Sequence, residues 1–475
     1  MLEKIRAWIH GAEQTRMFLL IGQAGVGKSA IAHTIANEYA ELGRLGSAFC
    51  FSKDRGSANL FRTIARDLAD MDPMYAAVLS SKVTSEMEGS EVAEIQMKKI
   101  LLPPFDALSV VGPIVIVIDA LDECVNRDPI VKCLINNANA LPANIRILIT
   151  SRPSEAQDLR ACGWVQICEL ERLSDEDEDL VRYVEDQLQK YRKILEPGDV
   201  KAIVFASEGL FQYASVVCKE MLSSFKYRTH ESPEQTFTRL VKGTKAGLDG
   251  LYTGILENLY HNANDSDSDT FRVFRHVMSW ILVAQDRFTH ASLVDLGRGL
   301  VLNQSTQAGY DPVSMTLRPL GALFSGTQDP SEIVYPLHSS FRNFLLDPER
   351  SGRFYVGSAA FQHASISSAS LRLLVKALRF NIADLETSYL LNRDVPHFEE
   401  RVLSRVPRSL SYACAHWATH LSKSSCPEDR FECTPEIVLL LDQKFLFWLE
   451  VLGLENSVSS AETSLQFLSH WTKVS

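Results

Sequence analysis

Residues 17–32 read MFLLIGQAGVGKSAIA, and the reading of the whole chain turns on them. The apolar run from Met17 to Ile21 is expected to be a strand, Gly22 ends it, and Lys28-Ser29 opens a helix carrying Ala30, Ile31, Ala32, Ile35 and Ala36. Gly22, Gly27, Lys28 and Ser29 match the full pattern G-x-x-x-x-G-K-[ST] in the strand-then-helix setting that the pattern requires. Successive backbone N–H groups, aided by a helix N-terminus, wrap a polyphosphate only where side chains do not crowd the turn. Gly22, Gly25 and Gly27 remove that crowding. The expected nucleotide-binding residues are therefore Gly22, Gln23, Ala24, Gly25, Val26, Gly27, Lys28, Ser29 and Ala30. Lys28 is placed over the β- and γ-phosphates, and the Ser29 hydroxyl ligates a Mg²⁺ that bridges them.

Working outward, Leu2, Ile5, Trp8 and Ile9 fall at helical spacing before Gly11, so a short amphipathic helix precedes the strand. So short a lead leaves little chain to cover a purine and ribose, which suggests a segment upstream. Downstream, residues 46–51 (GSAFCF) read as a second strand, and Leu60, Ile64 and Leu68 mark one stripe of a helix. Residues 112–123 (GPIVIVIDALDE) hold five apolar residues in a row, Ile114 to Ile118, as expected of a parallel strand buried on both faces. Asp119 follows at the strand's carboxyl end, where open α/β sheets place their ligands. A carboxylate there completes a Mg²⁺ site with Ser29, while Asp122 and Glu123, one or both, are placed to orient an attacking water. Residues 144–153 (NIRILITSRP) supply another buried strand, and Thr150, Ser151 and Arg152 sit at the same edge before Pro153. An arginine there can sense a γ-phosphate with its fixed fork of donors. Val165–Cys168 adds a last strand.

Composition bounds the rest. A chain of 475 residues is about three times the usual domain length, so three or four domains are expected. It is 46% hydrophobic and 23% charged, with a net charge of -11, which argues against a nucleic-acid-coating surface and leaves no specific nucleic-acid signal. An odd count of nine cysteines without a regular framework reads as reduced thiols. No window holds the ~18 apolar residues of a membrane span, and no basic-then-apolar leader precedes Met17. The expected location is cytoplasmic.

Behind the sheet domain, Ser174 and Asp177 resemble a helix cap ahead of Leu180, Val181, Val184 and Leu188, with the acidic run 175–179 in the solvated first turn. Residues 200–205 and 211–221 read as two more helices, a small helical domain suited to act as a lid. Residues 231–233 read as a linker and 262–269 (NANDSDSD) as a polar loop whose spacing does not fit a calcium loop. Leu317–Phe324 and Ile333–Leu337 are expected to be strands of a winged-helix unit, and His338 to start a helix with Phe341, Phe344 and Leu345 inward. Beyond residue 350, helical patterns with Trp417, Phe447 and Trp448 read as core, with no 30–45-residue repeat. The apolar face of 463–471 suggests a packing partner beyond the chain. The fold class is thus an α/β P-loop NTPase domain with a central parallel sheet (1–170), then a small helical domain (171–232), a winged-helix-like domain (233–355) and a C-terminal all-helical domain (356–475).

Five blocks together resemble a known family: GQAGVGKSAIA at 22–32, VIVIDALDEC at 115–124, ILITSRP at 147–153, PLHSSFRNFLLDPERSGRFYV at 336–356 and FNIADLETSYLLNRDV at 380–395. The chain resembles the NACHT-type signalling ATPases of the STAND class, in the group of mushroom-forming fungi related to the nephrocystin-3-like N-terminal domain. The resemblance implies ATP or ADP with Mg²⁺, Asp119 as the Walker B carboxylate, Asp122 or Glu123 for water activation and Arg152 as first sensor. It also implies that His338 reaches the β-phosphate of ADP and latches a closed state. A protein or ligand trigger, homo-oligomerisation on activation and a role in fungal innate immunity or non-self recognition belong to the same implication. Two departures stand out. Where the family carries a Gly-x-Pro turn against adenine, this chain has Gly209-Leu210-Phe211, and Ala120 separates Asp119 from the next acidic residues. The effector and repeat regions usual in the family are not among these residues. The expected function is a slow ATP/ADP-operated switch; a P-loop motor or metabolic ATPase, and a scaffold that has lost nucleotide function, are the alternatives.

Overall fold

Three short, largely apolar runs, at 17–21, 114–118 and 145–149, form the centre of one sheet, and two more mixed segments form its edges. In the computed structural model β1 spans Met17–Gly22, β2 Leu45–Cys50, β3 Ile114–Asp119, β4 Ile145–Ser151 and β5 Val165–Leu170. The described residues are 1–11, 15–51, 59–82, 92–124, 126–155, 157–170, 178–189, 197–227, 233–242, 247–260, 269–298, 311–387, 389–424 and 435–473. All strand pairs are parallel, in the order β2-β3-β4-β1-β5.

Alternation along each strand explains why both faces are covered. Met17, Leu19, Ile21, Ile114, Ile116, Ile118, Ile145, Ile147 and Ile149 pack with Leu60, Ile64 and Leu68 of the helix Leu60–Met71 and with Ile130 and Leu134 of the helix Arg127–Asn136. Phe18, Leu20, Val115, Val117 and Leu148 point the other way, onto Trp8 of the helix Leu2–His10 and Ile35 and Tyr39 of the helix Lys28–Glu41. Adjacent residues thus fill different cores and residues two apart the same one, as a strand's period demands. The chain leaves β1, sandwiched between β4 and β5, for the far edge strand β2, which opens a crevice at the carboxyl ends.

Packing divides the chain into two units, Met1–Ser215 and Val216–Ser475. The first also holds the helices Glu178–Leu188 and Pro197–Ala206 and the start of the helix that begins at Phe211. The Ser174 cap lies outside the described residues, as do 261–268, most of the expected linker, and Cys426 and Cys433.

Among the described residues the second unit is helical, with one two-stranded antiparallel ribbon of β6 (Phe324–Ser325) and β7 (Tyr335–Pro336). The expected strand over 317–324 is corrected: Leu317 ends the helix Pro312–Leu317, and only Phe324 of that span is extended. Asp311 caps that helix by accepting from the N–H groups of Val313 and Ser314, and Pro312 sits at its first position, where a missing N–H costs nothing. Trp417, in the helix Arg408–Lys423, and Trp448, in the helix Phe445–Leu454, meet edge to face at 6.1 Å in a buried core. The final helix, Ser459–Lys473, packs through Ala461 and Leu468 into that core, so its apolar face has a partner within the chain. No disulfide joins Cys50, Cys124, Cys133, Cys162, Cys168, Cys218 or Cys414, and no described helix is long and apolar enough to cross a membrane.

Candidate phosphate and metal site

Glycine is required at the mouth of β1 by close approach. A Cβ at Gly22 would stand 2.7 Å from the carbonyl oxygen of Leu170 on β5 and 3.0 Å from Val26. Gly25 and Gly27 adopt φ of +82° and +98°, the left-handed region that costs glycine little. The loop so formed buries Val26 as an anchor, leaves Ala24, Gly25 and Gly27 half-buried, and exposes Gln23, Ser29 and Ala30. Lys28 opens the helix and folds back, donating through Nζ to the carbonyls of Gly22 and Gln23, both at 2.8 Å. Burial holds its amine below the usual lysine range, with Arg152 adding to that and the carboxylates Asp122, Asp119 and Glu123 opposing it. The other four charged groups expected at the site, Arg152, Asp122, Asp119 and Glu123, all act on this one lysine.

Register sets the next layer. Cys50 stands opposite Asp119 across β2 and β3, Ile118 opposite Ile149 across β3 and β4, and Leu20 opposite Thr150 across β1 and β4. Asp119, 3% exposed, accepts from Ser29 Oγ at 3.2 Å and from the Thr150 hydroxyl, both on Oδ1, and from Cys50 Sγ at 3.6 Å on Oδ2. The chain then turns through Ala120 in a left-handed conformation (φ 56°, ψ 46°), and the Ala120 N–H donates to Thr150 Oγ1 at 2.8 Å. A non-glycine residue held there costs on the order of 1 kcal/mol. The short turn Leu121–Glu123 that follows points Asp122 at Arg152, whose Nε lies 2.8 Å from its Oδ2. Sequence reasoning named Thr150 at this edge but gave it no role. Only the β3–β4 register reveals it.

The start of the helix at Phe211 closes one side of the loop. The Gln212 N–H donates to the Gly25 carbonyl at 3.4 Å, and a Cβ on Gly25 would meet Gln212 Cβ at 3.2 Å. Phe211 lies 3.6 Å from a Cβ built on Gly27 and meets Tyr183 edge to face at 5.6 Å. Glu208 and Gly209, at φ of 48° and 76°, make the turn that delivers them. An aromatic ring, not a proline, thus stands at this turn.

His338 belongs to the second unit, where it caps the helix Ser339–Leu345: Nδ1 accepts the Ser340 N–H at 3.1 Å and faces Ser340 Oγ at 2.7 Å. Ser340 Oγ in turn meets the Tyr252 hydroxyl at 2.7 Å. Phe341, Phe344 and Leu345 are buried, as expected.

Among the described residues no group of three or more His, Cys, Asp or Glu side chains is placed to hold a metal on its own. One carboxylate and one hydroxyl, Asp119 and Ser29, fit Mg²⁺ nonetheless, because that ion takes one or two protein ligands and leaves its other positions to phosphate and water.

Residues 2–152 match the family model described as "Nephrocystin 3, N-terminal". No curated protein matches the chain significantly. Among solved structures, the Walker-type ATPase PABY2304 of Pyrococcus abyssi is similar over 71% of this chain and 92% of its own, at 12% identity and a TM-score of 0.32. The chain carries an N-terminal nephrocystin-3-like domain, a parallel α/β sheet of the P-loop NTPase kind, followed by helical regions.

Proposed function

We propose that this protein is a nucleotide-operated switch of the NACHT/STAND signalling class, binding ATP or ADP with Mg²⁺ and hydrolysing ATP slowly. The observation that carries this reading is the convergence of Lys28, Ser29, Asp119 and the Asp122–Arg152 pair at one end of the sheet. Residues 22–30 hold the phosphates through backbone N–H groups, and Lys28 exchanges its two carbonyl acceptors for phosphate oxygens. Ser29 and Asp119 hold the Mg²⁺. When bound, the ion neutralises phosphate charge and orients the γ-phosphoryl group for in-line attack by water. Asp122 pairs with Arg152 and aims the arginine, and Asp122 or Glu123 accepts the proton of the attacking water.

Arg152 senses the γ-phosphate. His338 starts the helix Ser339–Leu345, with Nδ1 accepting the Ser340 N–H. Its assignment to the β-phosphate of ADP rests on the family resemblance. Residues 171–232 serve as lid, 233–355 as the winged-helix-like element that responds to the nucleotide, and 356–475 as a helical domain. Oligomerisation on activation, an upstream protein or ligand trigger, a cytoplasmic location and a role in fungal non-self recognition are parts of the same proposal.

Nucleotide released on denaturing the purified protein tests it. Wild type should release ADP or ATP near one equivalent, and Lys28→Ala should release at most about a tenth of that, since a charge-assisted contact is worth about 1.5–3 kcal/mol. Equal release from both would overturn the reading.

A further inference from the structure

Lys28 Nζ donates to the carbonyls of Gly22 and Gln23 while the Asp119 carboxylate accepts from the Ser29 hydroxyl at 3.2 Å, and a buried neighbour is needed to hold the carboxylate there. Thr150, fully buried at the end of β4, is placed to do that. Its hydroxyl donates to Asp119 Oδ1, the same oxygen that accepts from Ser29, and its oxygen accepts the Ala120 N–H at 2.8 Å. One side chain therefore ties the carboxylate to the left-handed residue after it and fixes both against β4. The hydroxyl can do this because it donates and accepts at once.

We propose that Thr150 is a positioning residue for the metal. It keeps the Asp119 carboxylate turned towards Ser29 and away from Lys28, so that the carboxylate serves Mg²⁺ and the lysine serves phosphate. This rests on the proposed nucleotide-binding function. Val in place of Thr keeps the shape and the β-branch but removes both hydrogen bonds, freeing Asp119 to rotate and leaving the Ala120 N–H without an acceptor. Ser keeps both bonds.

The test is binding of a fluorescent ADP to the whole chain, in Mg²⁺ and in EDTA, for wild type, Thr150→Val and Thr150→Ser. The expected result is that Thr150→Val loses the Mg²⁺-dependent gain in affinity by about tenfold while its EDTA affinity stays within about twofold, and that Thr150→Ser restores the gain. A purely structural role would lower both affinities together. Hydrogen exchange supplies a readout without nucleotide: the Ala120 amide should lose protection in Thr150→Val and keep it in Thr150→Ser. An undiminished Mg²⁺ gain or an equally protected Ala120 amide in Thr150→Val overturns the proposal. If Thr150→Val does not fold, loss of the Mg²⁺ gain in Thr150→Ser overturns it, and retention there supports it. Wild type that binds no nucleotide under either condition instead overturns the nucleotide-binding function, and this proposal with it.

Discussion

Two polar clusters in this molecule are built on opposite plans. In the second unit, Tyr412 accepts the Gln285 N–H at 3.1 Å and meets His420 Nε2 at 2.7 Å, and His420 Nδ1 meets His363 Nδ1 at 2.8 Å. One proton order satisfies each link: Tyr412 donates to His420, and His420 donates to His363. Nearby, Trp280 Nε1 donates to Ser365 Oγ at 2.9 Å, which meets His276 Nδ1 at 2.6 Å. Each of these groups has a neighbour within the protein. At the sheet edge, by contrast, Ser29 is exposed, Lys28 is parked on two loop carbonyls, and Arg152 is one-third exposed beside Asp122. A closed network specifies packing, whereas an open one, held by short-range bonds that a ligand can exchange, is a site.

The largest expected effect falls on the closed cluster. Burial pushes His276 down to about 4 and His420 to about 3, helped by Arg272, Arg372 and Arg275 around the first and by His363, His416 and Lys423 around the second. Depressed histidines stay neutral when folded while the unfolded chain takes up protons. Their contribution is therefore complete above the ordinary value of 6.5 and is lost as pH falls from there towards 4. At pH 5 the loss is about 2 kcal/mol for each and about 4 kcal/mol together. Burial likewise pushes His363 down to about 4, so urea unfolding of the whole chain between pH 8 and 5 should show about 6 kcal/mol lost from the three, of which His420→Gln should remove about a third. A flat profile would mean that the cluster is not closed.

A smaller effect is expected at the loop. In Gly22→Ala the new methyl would overlap the Leu170 carbonyl, costing about 1–3 kcal/mol as overpacking does. Nucleotide retention should fall with it, because the loop cannot keep its course. Gly163→Ala is the control: no atom lies within 4 Å of the added Cβ, and the change should stay within about 0.5 kcal/mol.

The two clusters also differ in how far they could be read without coordinates. The loop 22–29, the buried runs at 114–118 and 145–149 and the acidic and basic residues after them are local patterns, and each lies where its spacing placed it. Trp417 and Trp448 likewise proved to be core. Thr150 and Cys50 are different, because their contact with Asp119 depends on which strands pair and in what register, and no local pattern carries that. The same holds for the His363–His420 contact, made between residues 57 apart. The miss at 317–324 had a local remedy. Asp311-Pro312 is a helix-start signal, but the apolar run after it drew the strand reading.

The smallest effect is the most discriminating, because Asp122 and Arg152 lie between the two plans. The Asp122 side chain is 8% exposed and that of Arg152 34%, with 2.8 Å between Oδ2 and Nε. A pair with one partner this open loses little when broken, because water replaces the contact, and its coupling should be below about 1 kcal/mol. A double-mutant cycle of Asp122→Asn and Arg152→Gln on thermal stability without nucleotide measures it directly. A value near 3 kcal/mol or more would be that of a buried, structural pair, and would move Arg152 into the closed class with His420. A small value leaves Arg152 cheap to detach, which is what a γ-phosphate sensor needs: the energy of leaving Asp122 must be less than the energy of meeting the ligand. The same cycle, read on the ratio of ATP to ADP affinity, should then show a loss of ATP preference with Arg152→Gln that Asp122→Asn reproduces only in part.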